Sequence, residues 1–118
     1  MAATKASASF QASATNTAGS TTTGSSVDLT AAYGCAITGK ITNGATGPTI
    51  ACDFVVEVSN DNSDWMEYAR ATAGVANNGV YTFAVDLPAS IMYARTKFTG
   101  NTGQSVTIEA DAHKLTGI

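Results

Sequence analysis

His113 follows Asp111 by two positions, so on a β-strand the imidazole and the carboxylate would share a face. That pairing could move a proton, because histidine titrates near neutral pH and a neighbouring carboxylate orients it. It is the chain's one histidine, however, and it falls on the outward register of its strand, where an ordinary surface residue is expected. The many serines would allow a Ser–His–Asp arrangement on paper, but no Gly-x-Ser-x-Gly elbow presents one. Cys35 and Cys52 lack a Cys-x-x-Cys spacing and a histidine partner, so zinc is not expected. They read as two small buried hydrophobes. A disulfide would need a hairpin centred between Asn43 and Gly44, whereas the loop centres nearer Ala45–Thr46; free thiols are expected. The sequence thus predicts no catalytic residue, no metal and no cofactor.

Binding chemistry is better represented. Tyr93, Arg95 and Lys97 alternate along one strand face, a short stripe that could stack on a base and hold a phosphate. Three residues on a net-acidic chain fit a contact between subunits better, with Glu109 and Asp111 as the complementary acidic strand. Trp65 could stack on a sugar, with Tyr68 nearby, or fill a core or an interface. The run Asn60-Asp61-Asn62-Ser63-Asp64 has the oxygens of a calcium loop, but it lacks the bend glycine and the terminal bidentate glutamate. Its side chains bond their own backbone readily, so a connecting turn is expected.

The elements that would carry these residues are strands. Ile50 to Ser59 keeps a period of two, placing Ile50, Cys52, Phe54, Val56 and Val58 on one face, with Ala51, Asp53, Val55 and Glu57 mostly toward water. Further strands are predicted at Val27–Ala32, Cys35–Thr42, Trp65–Thr72, Val80–Leu87, Ile91–Thr99 and Gln104–His113. Loops rich in Gly, Asn and Pro separate them, notably Asn43–Pro48, Ala73–Gly79 and Gly100–Gly103. About seven short strands with turns every 8–12 residues predict an all-β antiparallel sandwich, Ig-like or jelly-roll-like.

The first 26 residues stand apart. Between residues 2 and 26, everything but Lys5, Phe10, Gln11 and Asn16 is Ala, Ser, Thr or Gly. Such a segment buries too little to offset roughly 1–2 kcal/mol of backbone entropy per residue, so it predicts an extended N-terminal arm, 1–26, before a domain at 27–118. Phe10 is its one large side chain and is expected to fill a pocket on a partner. Charged residues make up 13% of the 118, about half the usual share, and the net charge is −3. Neither nucleic acid nor an anionic membrane is expected as partner. No apolar run suits a signal peptide or a membrane span, so a protein made and retained in a cytoplasm is expected.

The succession Ser59-Asn60-Asp61-Asn62-Ser63-Asp64-Trp65, then Leu87-Pro88 to Tyr93-Ala94-Arg95, then Gly100-Asn101-Thr102-Gly103 and a last strand resembles small structural β-proteins of tailed bacteriophages. In character it is most similar to the capsid decoration, or cement, proteins, over roughly residues 27–118. That resemblance implies a β-sandwich knob on the outside of the virion head, bound to the major capsid protein. It also implies a homo-oligomer, commonly a trimer, with no enzymatic activity. An Ig-like module binding carbohydrate or a host surface, and a tail or connector subunit, are the alternatives.

Overall fold

The computed structural model describes residues 3–118 and contains nine strands, with no helix among the described residues. They are β1 (Thr4–Asn16), β2 (Thr22–Thr23), β3 (Val27–Asp28), β4 (Cys35–Asn43), β5 (Asp53–Ser59), β6 (Met66–Thr72), β7 (Val80–Leu87), β8 (Tyr93–Thr99) and β9 (Val106–Gly117). The strand order is β1-β9-β4-β7 in one sheet and β2-β8-β5-β6 in the other, with β3 also paired to β8. Every pairing is antiparallel. With β2 and β3 counted as one interrupted strand, the pairs β1·β9, β2/β3·β8, β4·β7 and β5·β6 are nested, like one long hairpin rolled up. This is the order of a jelly roll, not of an Ig-like sandwich.

The seven predicted strands are β3 to β9. Val80–Leu87 has its predicted bounds, whereas Val27–Ala32 shortens to Val27–Asp28. The carboxylate of Asp28 accepts hydrogen bonds from the Thr30 N–H at 2.9 Å and the Thr30 hydroxyl at 2.6 Å, turning the chain away from the ladder.

The larger correction concerns the expected arm, whose Met1 and Ala2 lie outside the described residues. Residues 4–16 are an edge strand, laid along β9 from Thr4↔Gly117 to Asn16↔Val106. Alanine and serine alternate there: Ala6 and Ala8 turn inward ahead of Phe10, while Lys5, Ser7 and Ser9 are exposed. The half-buried face is built from methyl groups, so it carries little hydrophobic signal, but its backbone is satisfied by the ladder. Residues 17–26 then cross to the second sheet, closing that flank of the sandwich. In this crossing, Ser25 N–H donates to the Phe10 carbonyl at 2.8 Å and Gly24 N–H to the Thr96 carbonyl at 2.8 Å. Gly24 packs so tightly that a Cβ there would overlap the Phe10 carbonyl.

A buried amide pair anchors the start of that crossing. Asn16 and Asn101 are both fully buried. Asn16 Nδ2 donates to Asn101 Oδ1 at 2.6 Å, and Asn101 Nδ2 donates to the carbonyls of Asn16 (3.1 Å) and Gln104 (3.0 Å). Thr22 completes the set, donating to Asn16 Oδ1 at 2.6 Å. Between the sheets, Phe54 lies 5.2 Å from Phe98 and 5.8 Å from Phe83, centroid to centroid. Gly39 makes room for it, since a Cβ at 39 would sit 2.7 Å from the Phe54 ring.

Candidate functional site

The outer face of the second sheet gathers most of the residues singled out from sequence. β8 runs antiparallel to β5 with Arg95 opposite Glu57 and Lys97 opposite Val55. The inward residues of β8 are Ala94, Thr96 and Phe98, all fully buried, so strand alternation sends Tyr93, Arg95 and Lys97 outward together. Arg95 Nε donates to Glu57 Oε1 at 2.8 Å, and Lys97 Nζ lies 3.3 Å from Glu57 Oε2. The Arg95 guanidinium also stacks over Trp65, 4.3 Å from the ring centroid, a cation–π contact. Four of the five residues expected to bind a partner therefore share one patch. Phe10, the fifth, does not. It is 2% exposed within the core, because strand alternation turns it inward where Ser9 faces out.

Sequence reasoning missed the group at the patch centre. Glu57 was expected to face mostly water, yet it is 8% exposed, and Val55 on the same face is fully buried. Both lie beneath longer neighbours: Val55 sits between Lys97 on β8 and Arg70 on β6, whose aliphatic stems cover it. Burial pushes the Glu57 carboxyl up, but the Arg95 hydrogen bond and the charges of Lys97 and Arg95 outweigh it and hold the group below its ordinary range. Alongside, Arg70 bridges Asp53 at 2.6 Å and Glu67 at 2.9 Å. The three acidic and three basic groups form a pair of ion-pair clusters, one around Arg70 and one around Glu57, the second with planar Trp65 and Tyr93 at its margin. The cross-strand register would have revealed it; residue spacing within one strand does not. The basic stripe thus pairs within its own chain. Glu109, its expected complement, lies on the other sheet, 3.8 Å from Lys40.

The other sequence candidates resolve locally. Asp61 Oδ1 accepts from the N–H groups of Ser63 (3.0 Å) and Asp64 (2.9 Å) and from the Ser59 hydroxyl (3.0 Å), which hold its carboxyl below the usual range. Its oxygens are engaged in shaping the turn, where Asn62 takes a φ of 60°. Cys35 and Cys52 are free and buried; burial raises both thiols, that of Cys52 to about 11. Ser7 Oγ stands 3.5 Å from His113 Nδ1 across the β1–β9 pair, both on the outer face of the first sheet.

The architecture places the chain among jelly-roll domains, a class used by viral capsids and lectins alike. No known protein family and no curated protein matches the sequence. Solved structures do share the fold. PBSX exported protein XepA superposes with a TM-score of 0.63 at 14% identity, over 96% of this chain and 37% of that one. The SPBc2 prophage-derived protein YomS gives 0.53 at 14% identity, over 96% of both chains. A chain of the infectious bursal disease virus Gx strain gives 0.57 at 12% identity, over 99% of this chain and 34% of that one. The chain therefore spans little more than a third of XepA and of the viral protein, but nearly all of YomS. At such identities the likeness is one of fold. It is a fold that phage-derived and viral-particle proteins use.

Proposed function

We propose that this chain is a non-enzymatic structural protein of a phage particle, and more specifically a decoration protein that binds the outside of the head and stabilises it. The observation that carries this is the nested jelly-roll order, in a fold similar along almost the whole chain to prophage-derived YomS and to parts of XepA and of an infectious bursal disease virus chain. The major capsid protein is the partner in this reading, and the decoration protein sits on it as an oligomer, a trimer in the form the resemblance implies.

The patch around Trp65, Tyr93, Arg95 and Lys97 is the contact surface in this reading. Its aromatic and guanidinium groups are the types that dominate interfaces. Because Glu57 already fixes Arg95 and Lys97, they would lose little side-chain freedom on docking, so more of the contact energy remains as affinity. Many weak copies on a symmetric lattice then bind by multivalency.

The test is co-sedimentation of the purified protein with undecorated heads, followed by a heat or low-salt challenge. Saturable binding that protects the heads, and that Trp65→Ala weakens, is expected. Absence of binding to heads, with Trp65→Ala instead abolishing attachment to a glycan or cell surface, would overturn the proposal in favour of a host-binding module.

A further inference from the structure

Two sheets give this sandwich four edges, and three of them are blunted. β1 is broken by register shifts at Thr4/Lys5, Ser9/Gln11 and Gln11/Ala14. β2 and β3 are two residues each. β6 carries a bulge opposite Val56/Glu57 and the charges of Glu67 and Arg70. Bulges, brevity and charge are the usual defences of an exposed edge. β7 has none of them. It holds an unbroken eight-residue register against β4, contains no proline and carries one charge, Asp86.

The hydrogen-bonding parity of β7 can be read from the ladder. Asn43 N–H donates to the Gly79 carbonyl at 2.8 Å, continuing the β4·β7 register by one pair. In an antiparallel ladder the bonded pairs alternate, so Tyr81, Phe83 and Val85 turn their backbone groups to β4. On the far side of β4, Leu115 N–H donates to the Gly34 carbonyl at 2.9 Å, which fits the same parity. The backbone N–H and C=O groups of Val80, Thr82, Ala84 and Asp86 therefore point off the edge, where no strand lies. Beside them runs a groove of about 310 Å³ between β6 and β7, lined mostly by apolar side chains, Phe54, Ala69, Ala71, Phe83 and Val85 among them, with Arg70 as its one charged residue. Alanines on β6 leave this flank open, whereas the crossing of residues 17–26 seals the opposite one.

We infer that the β7 edge is a docking surface for the β7 of a second copy, paired antiparallel about a two-fold axis at Phe83. This register matches the free groups of each strand to those of the other: Val80 with Asp86 and Thr82 with Ala84, each pair twice, closing about eight backbone hydrogen bonds. It also suits the charges. Each Asp86 lies opposite an exposed Val80, and the two carboxylates are six residues apart along the strand, roughly 20 Å. Phe83 meets its own copy at the axis over the groove. The contact, a strand of about 26 Å against a flank 18 Å deep, covers roughly 900 Å² in all. That lies below the standard size for a stable complex, so the pair is weak alone and gains from any lattice that holds two copies close. The contact is independent of the virion reading, since it forms between purified copies with no capsid present.

Disulfide trapping in the full-length protein tests it. Under mild oxidation Phe83→Cys should give a covalent dimer, because residues facing each other in a non-hydrogen-bonded pair have Cα atoms about 4.5 Å apart. Val85→Cys, on the same face, should cross-link at least tenfold more slowly, since its copies stand about four residues apart. Adding Ala84→Lys, which sets two ammonium groups diagonally across the pair, should slow trapping of Phe83→Cys at least tenfold. If loss of the Phe54 contact unfolds Phe83→Cys, exposed Thr82→Cys and Ala84→Cys take its place, and their mixture should yield heterodimers over either homodimer. Equal trapping at 83 and 85, no preference for the 82–84 heterodimer, or indifference to Ala84→Lys would overturn the inference.

Discussion

Replacing Phe10 by alanine separates an arm from a strand. Phe10 is 2% exposed and belongs to the same buried cluster as Ile37, Phe54, Phe98 and Ile108. Truncating a buried phenylalanine costs about 3–5 kcal/mol, the transfer of the ring plus the cavity left behind. For 118 residues the unfolding entropy near the midpoint is roughly 0.25 kcal/mol/K, so about 4 kcal/mol lowers the melting temperature by roughly 16 °C. The stability of a domain this size is of order 5–15 kcal/mol, so the variant stays folded at room temperature unless the parent lies at the bottom of that range. Thermal and urea unfolding of Phe10→Ala should be run beside Ser9→Ala. Ser9 is the exposed neighbour, and its truncation should stay within about 0.5 kcal/mol of the parent. Equal midpoints for the two variants would refute the reasoning, because an arm outside the folded domain loses nothing when its anchor is cut.

Three further perturbations follow from the described contacts. Asn101→Ala should cost about 1–3 kcal/mol in urea unfolding, because the buried Asn16 loses a donor to its carbonyl and an acceptor for its Nδ2; pairing it with Asn16→Ala should be strongly non-additive. Glu57→Gln should cost about 1–2 kcal/mol at neutral pH, between the values for exposed and buried pairs. Because the folded state holds Glu57 below its ordinary range, that stability is present above the unfolded carboxylate pKa and fades as pH falls through the folded one. Melting curves from pH 6 to 3 should therefore fall less steeply for the variant. Finally, both thiols should resist a disulfide reagent at pH 8 until the chain unfolds, when both react together; fast modification of either in the native protein would contradict the burial of Cys35 and Cys52.

What the sequence made legible was whatever period two exposes. β7 could be read to the residue, and the shared face of Tyr93, Arg95 and Lys97 followed from alternation alone. Three things lay outside that signal. Val55 and Glu57 are buried on an outer face because side chains of β6 and β8 cover them, and neighbours across strands are set by register that one strand cannot encode. The first strand was hidden differently. Ala6 and Ala8 alternate with Ser7 and Ser9, but methyl groups add too little hydrophobicity to stand out, and the strand is stabilised largely by its ladder along β9. Strand order was illegible for a related reason: β1 and β9 are about a hundred residues apart in sequence, and local patterning does not determine which distant strands pair.

That first pairing carries a consequence for how the domain joins larger molecules. Thr4 lies opposite Gly117, and the Thr116 hydroxyl donates to the Thr4 carbonyl at 3.3 Å, so the two ends of the described chain sit side by side. Adjacent ends suit circular permutation and insertion. A short Gly/Ser linker across them, with the chain reopened in the exposed turn at residues 60–64, should give a permutant that folds to the same sandwich. For the same reason the whole domain can be grafted into a surface loop of another protein through a two-strand neck, with neither partner stretched to accommodate it.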